Sequence, residues 1–308
     1  MEVRGRFAPT PSGRMHLGNL LAALLAWLDV RAAGGELVLR IEDLDTQRTS
    51  PDFARQLMDD LRWLGLDWDA GGLEPDYMQS RRTAYYEEAF RVLEERGLIY
   101  PCYCTRSERM AASAPHREDG AVVYSGRCFH LTAEERWELE RQGRRPAWRV
   151  RCPDRTVALE DGNCGPYAEN LARDCGDFIV RRSDGVFAYQ LAVVVDDALM
   201  RVNHVVRGRD LLCSAPRQAW LHQTLGYEPP RFFHTPLLLA PDGRRLAKRD
   251  HDLDMGALRE RYTPEELTGL LAFYAGLLDR PEKVTAGELV HQFSWAKVPK
   301  NDVVVCLS

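Results

Sequence analysis

An α/β fold organised on a parallel sheet is predicted by three features of the sequence. A short extended run through Val3–Phe7 passes by a Pro/Gly loop into an apolar helix from Leu17, and a second strand, Leu37–Ile41, follows directly. A crossover this short argues for parallel pairing in a right-handed βαβ unit. Two strand-like runs end in charged clusters, RIEDLD at 40–45 and RGRD at 207–210, and open α/β sheets place their ligand sites beyond the carboxyl ends of strands. Between 102 and 146 the rhythm breaks into Arg, Glu and turn residues, so that segment reads as an insertion and not as part of the sheet.

The first loop is RFAPTPSGRMHLGN, Arg6 to Asn19. Pro9 and Pro11 bar a helix there, because each lacks an N–H and restricts the residue before it. Leu17, Leu20, Leu21, Leu24, Leu25 and Leu28 mark the helix that follows, and Gly34 and Gly35 end it. The loop delivers His16 and Gly18 to the helix N-terminus, where unbonded N–H groups and the dipole favour an anion. Gly18 leaves room for a ligand near the backbone. A phosphate site is the reading; an ordinary tight connection is the alternative.

Strand two delivers Glu42, Asp43 and Asp45 to its carboxyl end. Asp43 and Asp45 read as caps of the next helix or solvated acids, whereas Glu42 is equally suited to hold a cationic group such as an amino-acid ammonium. Pro51 opens a helix to about Leu64 with Phe53, Leu57, Leu61 and Leu64 on one face, and 66–72 reads as a loop. Residues 81–96 form a helix whose predicted buried stripe is Tyr85, Ala89, Val92 and Leu93. Short strands are predicted at 98–100, 148–151 and 156–159, with a hairpin at 178–188 turning on Ser183-Asp184-Gly185. Tyr189–Val195 is an apolar helical run ending at Asp196-Asp197. Val202–Arg207 is β-branched and puts Arg207 at a strand end, facing the same crevice as Glu42, where a guanidinium can take a carboxylate side-on. Ser214 is the predicted cap of a helix from Pro216 to Leu225, and 232–240 is a strand interrupted at Pro236. A basic cluster at 244–249 reads as a loop that closes over phosphates, or as a solvated turn. Helices at 255–261, capped near Asp254, and at 264–275 follow, with a last apolar stretch at 289–295.

Composition sets limits without choosing a function. The 308 residues hold one large or two medium domains, and 45% hydrophobic with 28% charged residues is ordinary for a globular chain. A net charge of −5 gives no global nucleic-acid signature, though a local basic face can coexist with an acidic body. Leu20–Leu28 is too short to span a bilayer and is cut by Asp29 and Arg31, so it reads as a buried helix of a cytoplasmic protein and not as a signal peptide. Neither G-x-G-x-x-G nor a Walker A pattern occurs. Of the eight cysteines, Cys102, Cys104 and Cys128 form C-x-C, nineteen residues, then Y-x3-C. Three thiols favour zinc among metals, and zinc wants a fourth ligand. Tyr124, His116 and His130 are the candidates, and spectator thiols are the alternative reading.

With these pieces placed, the chain resembles a class I aminoacyl-tRNA synthetase catalytic core from about Arg6 to Tyr274. His16-Leu17-Gly18-Asn19 is similar to that family's HIGH element, and Arg245-Leu246-Ala247-Lys248-Arg249 to its KMSKS loop. The phrases RFAPTPSG, RIEDLD and FAYQLAVVVDD resemble the glutamyl and glutaminyl branch. Within that branch, the short chain and the C-x-C…Y-x3-C pattern resemble truncated paralogues of glutamyl-tRNA synthetase.

The resemblance implies a Rossmann-like catalytic domain over 1–240, interrupted by a zinc-bearing insertion at 101–186. A KMSKS-like loop and small helical region would occupy 241–308, with no anticodon-binding domain. It implies a soluble cytoplasmic monomer without membrane contact. The implied reaction is tRNA-independent activation of L-glutamate with Mg-ATP, then transfer of glutamate to queuosine at the wobble position of tRNA(Asp). Two alternatives are a truncated glutamyl-tRNA synthetase charging the tRNA 3′ end and a non-catalytic zinc-bearing RNA-binding paralogue. By the same resemblance, Arg6, Phe7, Ala8, Pro9 and Thr10 line the glutamate site with Glu42, Tyr189 and Arg207. Glu42 would hold the ammonium, and Arg6 and Arg207 would hold carboxylates, Arg207 the side-chain one. His16, Gly18, Asn19 and Lys248 would bind ATP, with His16 and Lys248 stabilising charge on the transferring phosphate. Cys102, Cys104, Tyr124 and Cys128 would hold one structural zinc. The chain departs from the family pattern at Asn19, which keeps a hydrogen-bond donor, and at Ala247 and Arg249, where one hydroxyl contact to phosphate is lost while Lys248 remains.

Overall fold

The computed structural model describes residues 2–105, 108, 123–244 and 253–305. Its strands, in chain order, are β1 (Arg4–Phe7), β2 (Glu36–Leu39), β3 (Ala70–Gly71), β4 (Ile99–Cys102), β5 (Ala147–Val150), β6 (Thr156–Asp161), β7 (Gly165–Asn170), β8 (Phe178–Arg181), β9 (His204–Gly208), β10 (Arg231–Thr235), β11 (Leu238–Leu239) and β12 (Val303–Val304). The α-helices are α1 (Leu17–Ala32), α2 (Pro51–Trp63), α3 (Thr83–Glu95), α4 (Ala133–Arg141), α5 (Tyr189–Leu199), α6 (Ala215–Leu225), α7 (Met255–Arg261), α8 (Pro264–Tyr274) and α9 (Ala286–Leu289).

The main sheet has the order β10-β9-β1-β2-β3 and every pairing in it is parallel. From β1 the chain moves outward through β2 and β3, then returns to build β9 and β10 on the other side. The strand order therefore reverses at β1, which makes the crevice between β1 and β9 the natural ligand position. Helix α1 crosses one face and is buried on nearly every side from Leu17 to Val30, as an apolar helix without a polar stripe must be. It packs with α2 and the C-terminal helices in one core, while α3, α5 and α6 form a second core on the opposite face. The result is three layers, helices on both faces of a parallel sheet. Outside it, β4-β5-β8 form a small antiparallel sheet and β6-β7 a separate hairpin.

Several local expectations differ from the structure. The 66–72 loop contains β3, whose two residues pair with β2 at the sheet edge, and β7 is a strand that the sequence pattern did not signal. Phe53 is exposed, and the buried stripe of α3 is Tyr86, Ala89, Phe90 and Leu93. Tyr85 and Tyr86 are alike in hydrophobicity, and what buries Tyr86 is a partner, since its hydroxyl donates to Asp196 at 2.9 Å. Ser214 stands at the N-cap position of α6, but its side chain makes no capping bond; it ends a preceding 3-10 turn, and its Oγ accepts from Gln190. Asp43 is neither a helix cap nor solvated, because Ser50 caps α2 and Asp43 is buried, accepting from the backbone and hydroxyl of Ser80.

A buried charge network ties the layers together. Arg40, just past β2, has no solvent exposure and reaches Asp197 at 2.6 Å and Asp196 at 3.8 Å at the end of α5. Asp196 also takes Arg82 at 2.6 Å and Gln79 at 2.8 Å, besides Tyr86. Burial alone would weaken the Arg40 guanidinium as a base, yet Asp197, Glu42 and Asp196 reverse this and raise its pKa. Removing one partner of such a cluster strands the others in a dry interior, so Asp196→Ala should lower the unfolding free energy in urea titration by about 3–5 kcal/mol. A loss under about 1 kcal/mol, the range of a surface ion pair, would contradict this account.

Candidate active site

The crevice at the β1 carboxyl end is a cavity of about 440 Å3, and most of the residues implicated from the sequence line it. Arg6, Phe7, Ala8, Pro9 and Thr10 enter it from β1 and the following loop, His16, Gly18 and Asn19 from the start of α1. Glu42 comes from beyond β2, Tyr189 from the first position of α5, and Arg207 from β9. Lys248, with Ala247 and Arg249, lies outside the described residues. The chain on either side of that stretch is at the same crevice: Leu238 lines it, and Asp254 bridges His16 while Met255 donates to the Met15 carbonyl at 2.8 Å.

One end of the cavity is set by charges fixed from behind. Arg6 is buried; its Nη1 donates to the Val206 carbonyl at 2.7 Å and its Nε lies 3.7 Å from Asp197. Glu42 is held by Arg40 at 3.1 Å. Burial raises the Glu42 pKa, with Arg40 and Arg6 opposing it, whereas for Asp197 the arginines outweigh burial and hold the carboxyl low. Burial also lowers the pKa of Arg6, helped by Arg40 and Arg207 and opposed by Asp197. Arg207 is likewise buried and anchored: Nε donates to His234 at 3.0 Å and Nη1 to Gln218 at 2.6 Å. Burial pushes the His234 pKa down despite the adjacent Asp161, so the ring is neutral near pH 7 and can accept from an arginine. Two guanidiniums and one carboxylate thus face a slot between the strand ends, an arrangement that suits a small molecule with two carboxylates and one ammonium.

The other end is the α1 N-terminus. His16 is its cap, with Nδ1 accepting from the Gly18 N–H at 3.1 Å, while the Asn19 side chain reciprocally accepts from the His16 N–H at 3.1 Å. This is a capping box built from His and Asn. Because Nδ1 accepts, the proton of the neutral ring sits on Nε2, which makes that atom a donor. Gly18 lines the cavity, and the structure adds a second reason for glycine there. A Cβ there would come within 3.1–3.2 Å of the His16 ring, so glycine lets the imidazole fold over the helix end.

The residues that sequence reasoning missed are the anchors, Arg40, Asp197, His234, Asp161 and Gln218. A signal existed for the first two: Arg40 interrupts an apolar strand, and Asp196-Asp197 interrupts an apolar helix. None existed for the pairing of His234 with Asp161, which lie 73 residues apart.

A second cluster lies where β4 leaves the small sheet. The Sγ atoms of Cys102, Cys104 and Cys128 all lie within 4.8 Å of one another, so the three could hold a metal ion. Tyr124 Oη stands 3.4 Å from Cys102, 3.5 Å from Cys104, and 3.1 Å from the Cys128 N–H that donates to it. Tetrahedral thiolate zinc has ligand–ligand edges of about 3.8 Å, so these four atoms have the right spacing for one ion. Arg149 donates to Cys102 at 3.3 Å and lies 3.8 Å over the Tyr124 ring, a cation suited to offset several anionic ligands. The Cys102 thiol is drawn well below its usual range, first by its hydrogen bond with Cys128 and then by Tyr124 and Arg149. His130 is exposed and absent from the cluster, and His116 lies outside the described residues.

The crevice at the strand reversal thus joins a slot suited to an amino acid with two carboxylates to a helix end suited to an anion, as a class I aminoacyl-tRNA synthetase core would require. The family model for the tRNA synthetases class I (E and Q) catalytic domain matches residues 2–301, and the chain belongs to that family. It is 50% identical over 306 residues to a Glutamyl-Q tRNA(Asp) synthetase of Symbiobacterium thermophilum, covering 97% of this chain and 94% of that one. It is 49% identical over 311 residues to the protein of the same name from Nitratidesulfovibrio vulgaris, covering 98% and 95%. Among solved structures, the glutamate-tRNA synthetase of Elizabethkingia anophelis superposes with a TM-score of 0.85 at 29% identity, over 99% of this chain and 68% of that one. A glutamate tRNA ligase of Elizabethkingia meningosepticum in complex with its amino acid gives 0.83 at 29%, over 99% and 67%. The α/β parallel-sheet fold is therefore that of class I synthetases. No helix among the described residues is long and apolar enough to cross a membrane.

The thiol cluster makes a direct prediction. Cadmium added to metal-free protein should produce thiolate-to-metal charge-transfer absorbance that saturates at a single equivalent and disappears in Cys104→Ser. Absorbance unchanged by that substitution would place the soft-metal site elsewhere.

Proposed function

We propose that this protein activates L-glutamate with ATP, entering as its magnesium complex, without tRNA, and then transfers glutamate to queuosine at the wobble position of tRNA(Asp). The observation that carries the first half is the slot itself: Arg6, Arg207 and Glu42 converge within one cavity that continues to the α1 N-terminus. Glutamate carries the complementary set. Its ammonium suits Glu42, its side-chain carboxylate suits Arg207, and its α-carboxylate is then directed toward the helix end. There an α-carboxylate oxygen attacks the α-phosphorus of ATP, the acyl–phosphate bond forms and pyrophosphate leaves. Charge developing on the phosphoryl oxygens is stabilised by the helix N-terminus and by His16 Nε2–H, with Lys248 as the partner contributed by the basic loop. In the second half, a hydroxyl of the queuosine cyclopentenediol attacks the acyl carbon and AMP leaves. The names of the two relatives at half identity support this acceptor over the tRNA 3′ end.

We assign catalysis to residues 1–240 and the phosphate-side loop and helices to 241–308. The insertion at 101–186 carries one zinc ion on Cys102, Cys104, Tyr124 and Cys128. When bound, the ion supplies a structural crosslink between the end of β4 and the 3-10 turn at Arg127–His130.

Glutamate-dependent exchange between pyrophosphate and ATP should appear without any tRNA. His16→Ala should slow it by about 10²-fold, the cost of removing one preorganised donor from a developing anion. Labelled glutamate should pass to tRNA(Asp) carrying queuosine and not to the same tRNA lacking it. Equal labelling of both tRNAs would instead identify an enzyme that charges the 3′ end, and a fully active His16→Ala would remove His16 from the mechanism.

A further inference from the structure

Arg207 is held by more than its strand. A guanidinium carries five N–H groups in one plane. Three are engaged by the protein: Nε with His234 Nε2 at 3.0 Å, Nη1 with Gln218 Oε1 at 2.6 Å, and Nη2 with the Leu211 carbonyl at 3.3 Å. One N–H remains on each terminal nitrogen, and such a pair can meet a carboxylate end-on. Two supports fix this plane. Gln218 donates to Gln190 at 2.8 Å, and Gln190 to Ser214 at 3.1 Å. On the other side, His234 Nδ1 lies 2.5 Å from Asp161 Oδ2. An arginine has no acceptor and keeps its protons, so His234 Nε2 must accept and Nδ1 must carry the ring proton and donate it to Asp161.

Asp161 is fixed in turn. Its Oδ1 accepts from the backbone N–H groups of Asn163 at 3.1 Å, Cys164 at 2.8 Å and His234 at 3.1 Å. It belongs to the β6–β7 hairpin, outside the parallel sheet, and the turn of that hairpin is pressed against β10. The Gly162 N–H donates to the Phe232 carbonyl at 2.8 Å, and a Cβ at Gly162 would lie 2.0 Å from the Phe233 ring. Asp161, His234 and Arg207 are all buried. The hairpin thus delivers a carboxylate to the back of the ligand slot, two hydrogen bonds removed from Arg207.

We infer that Asp161 and His234 are positioning residues for substrate recognition: Asp161 holds the His234 tautomer, and His234 holds the Arg207 plane so that its two remaining N–H groups face the side-chain carboxylate of glutamate. This rests on the reading of Arg207 as the contact for that carboxylate. The relay is also a specificity device. A guanidinium presents donors only, and one clamped in place cannot swing aside to let another group meet the amide NH2 of glutamine, which therefore faces a donor and stays unpaired.

The test is tRNA-independent exchange of pyrophosphate with ATP, with glutamate, glutamine and ATP varied separately. In Asp161→Asn the amide oxygen can still cap the turn, but its NH2 faces Nδ1. That reverses the tautomer and sets His234 Nε2–H against Arg207 Nε–H. The KM for glutamate should rise about tenfold or more, the loss of one charged hydrogen bond, and the preference for glutamate over glutamine should fall. The KM for ATP should stay within about twofold, because the phosphate side is untouched. His234→Ala should behave alike, and His234→Gln, which returns an acceptor oxygen toward Arg207, should recover most of the loss. A folded Asp161→Asn with unchanged KM for glutamate, or with both KM values raised together, would overturn the inference. Arg207→Ala separates the two levels. If it raises the KM for glutamate while the Asp161 and His234 variants do not, the relay falls and the reading of Arg207 stands. If it leaves that KM unchanged, the reading falls and the relay with it.

Discussion

The ion pair between Arg40 and Asp197 is the constraint on which the site depends. Neither side chain reaches water in any useful degree, and their nitrogen and oxygen approach to 2.6 Å. Removing two charges from water is costly and their mutual attraction scarcely exceeds that cost, so the pair's value lies less in stability than in placement. It joins the end of β2 to the end of α5. Asp197 turns its remaining capacity toward Arg6 on β1, and Arg40 reaches forward to Glu42. Two strand ends, one helix end and two of the ligand-facing charges are therefore located by a single contact. The companion Asp196 extends the same logic to Arg82, Gln79 and Tyr86 at the start of α3.

This backing explains how a slot can be polar, buried and ready before its ligand arrives. An arginine free to rotate would lose conformational freedom on binding, and its charge would be hydrated beforehand. Arg6 is anchored by the Val206 carbonyl and the charge of Asp197, and Arg207 by an imidazole, an amide and a carbonyl, which leaves donors for the ligand. At the other end, the capping box of His16 and Asn19 fixes an imidazole over the helix terminus. Electrostatic stabilisation is most effective when the donors need not reorganise as charge develops. The two ends are joined by the short segment from β1 to α1, so amino acid and nucleotide meet over one turn of chain.

How much of this was legible in the sequence follows from how far each interaction reaches along the chain. The βαβ unit, the apolar helix α1, the strand-end placement of Glu42 and Arg207 and the cap at Asp254 are local patterns, and they were legible. The choice between Tyr85 and Tyr86, the burial of Asp43 and the side-chain partner of Ser214 were not, because each is decided by a residue distant in the chain. The paired strand β7 carried no alternation of apolar residues, since the residues that it buries, Glu169 and Asn170, are polar. The specific residues of the glutamate and ATP sites came from family resemblance, and Lys248 lies outside the described residues. The anchors were invisible for a plain reason. A buried histidine or glutamine looks like any other until the residue that it holds is known.

The claim that the buried carboxylates prepare a rigid slot for glutamate is tested most directly by a crystal structure of the protein with glutamate bound. The account predicts the side-chain carboxylate end-on against the two terminal nitrogens of Arg207 and the ammonium within hydrogen-bond reach of Glu42. It also predicts that Arg6, Arg40 and Arg207 move by less than about 1 Å, as pre-organised sites do. Glutamate bound elsewhere, or Arg207 swung away from His234 to meet it, would contradict it.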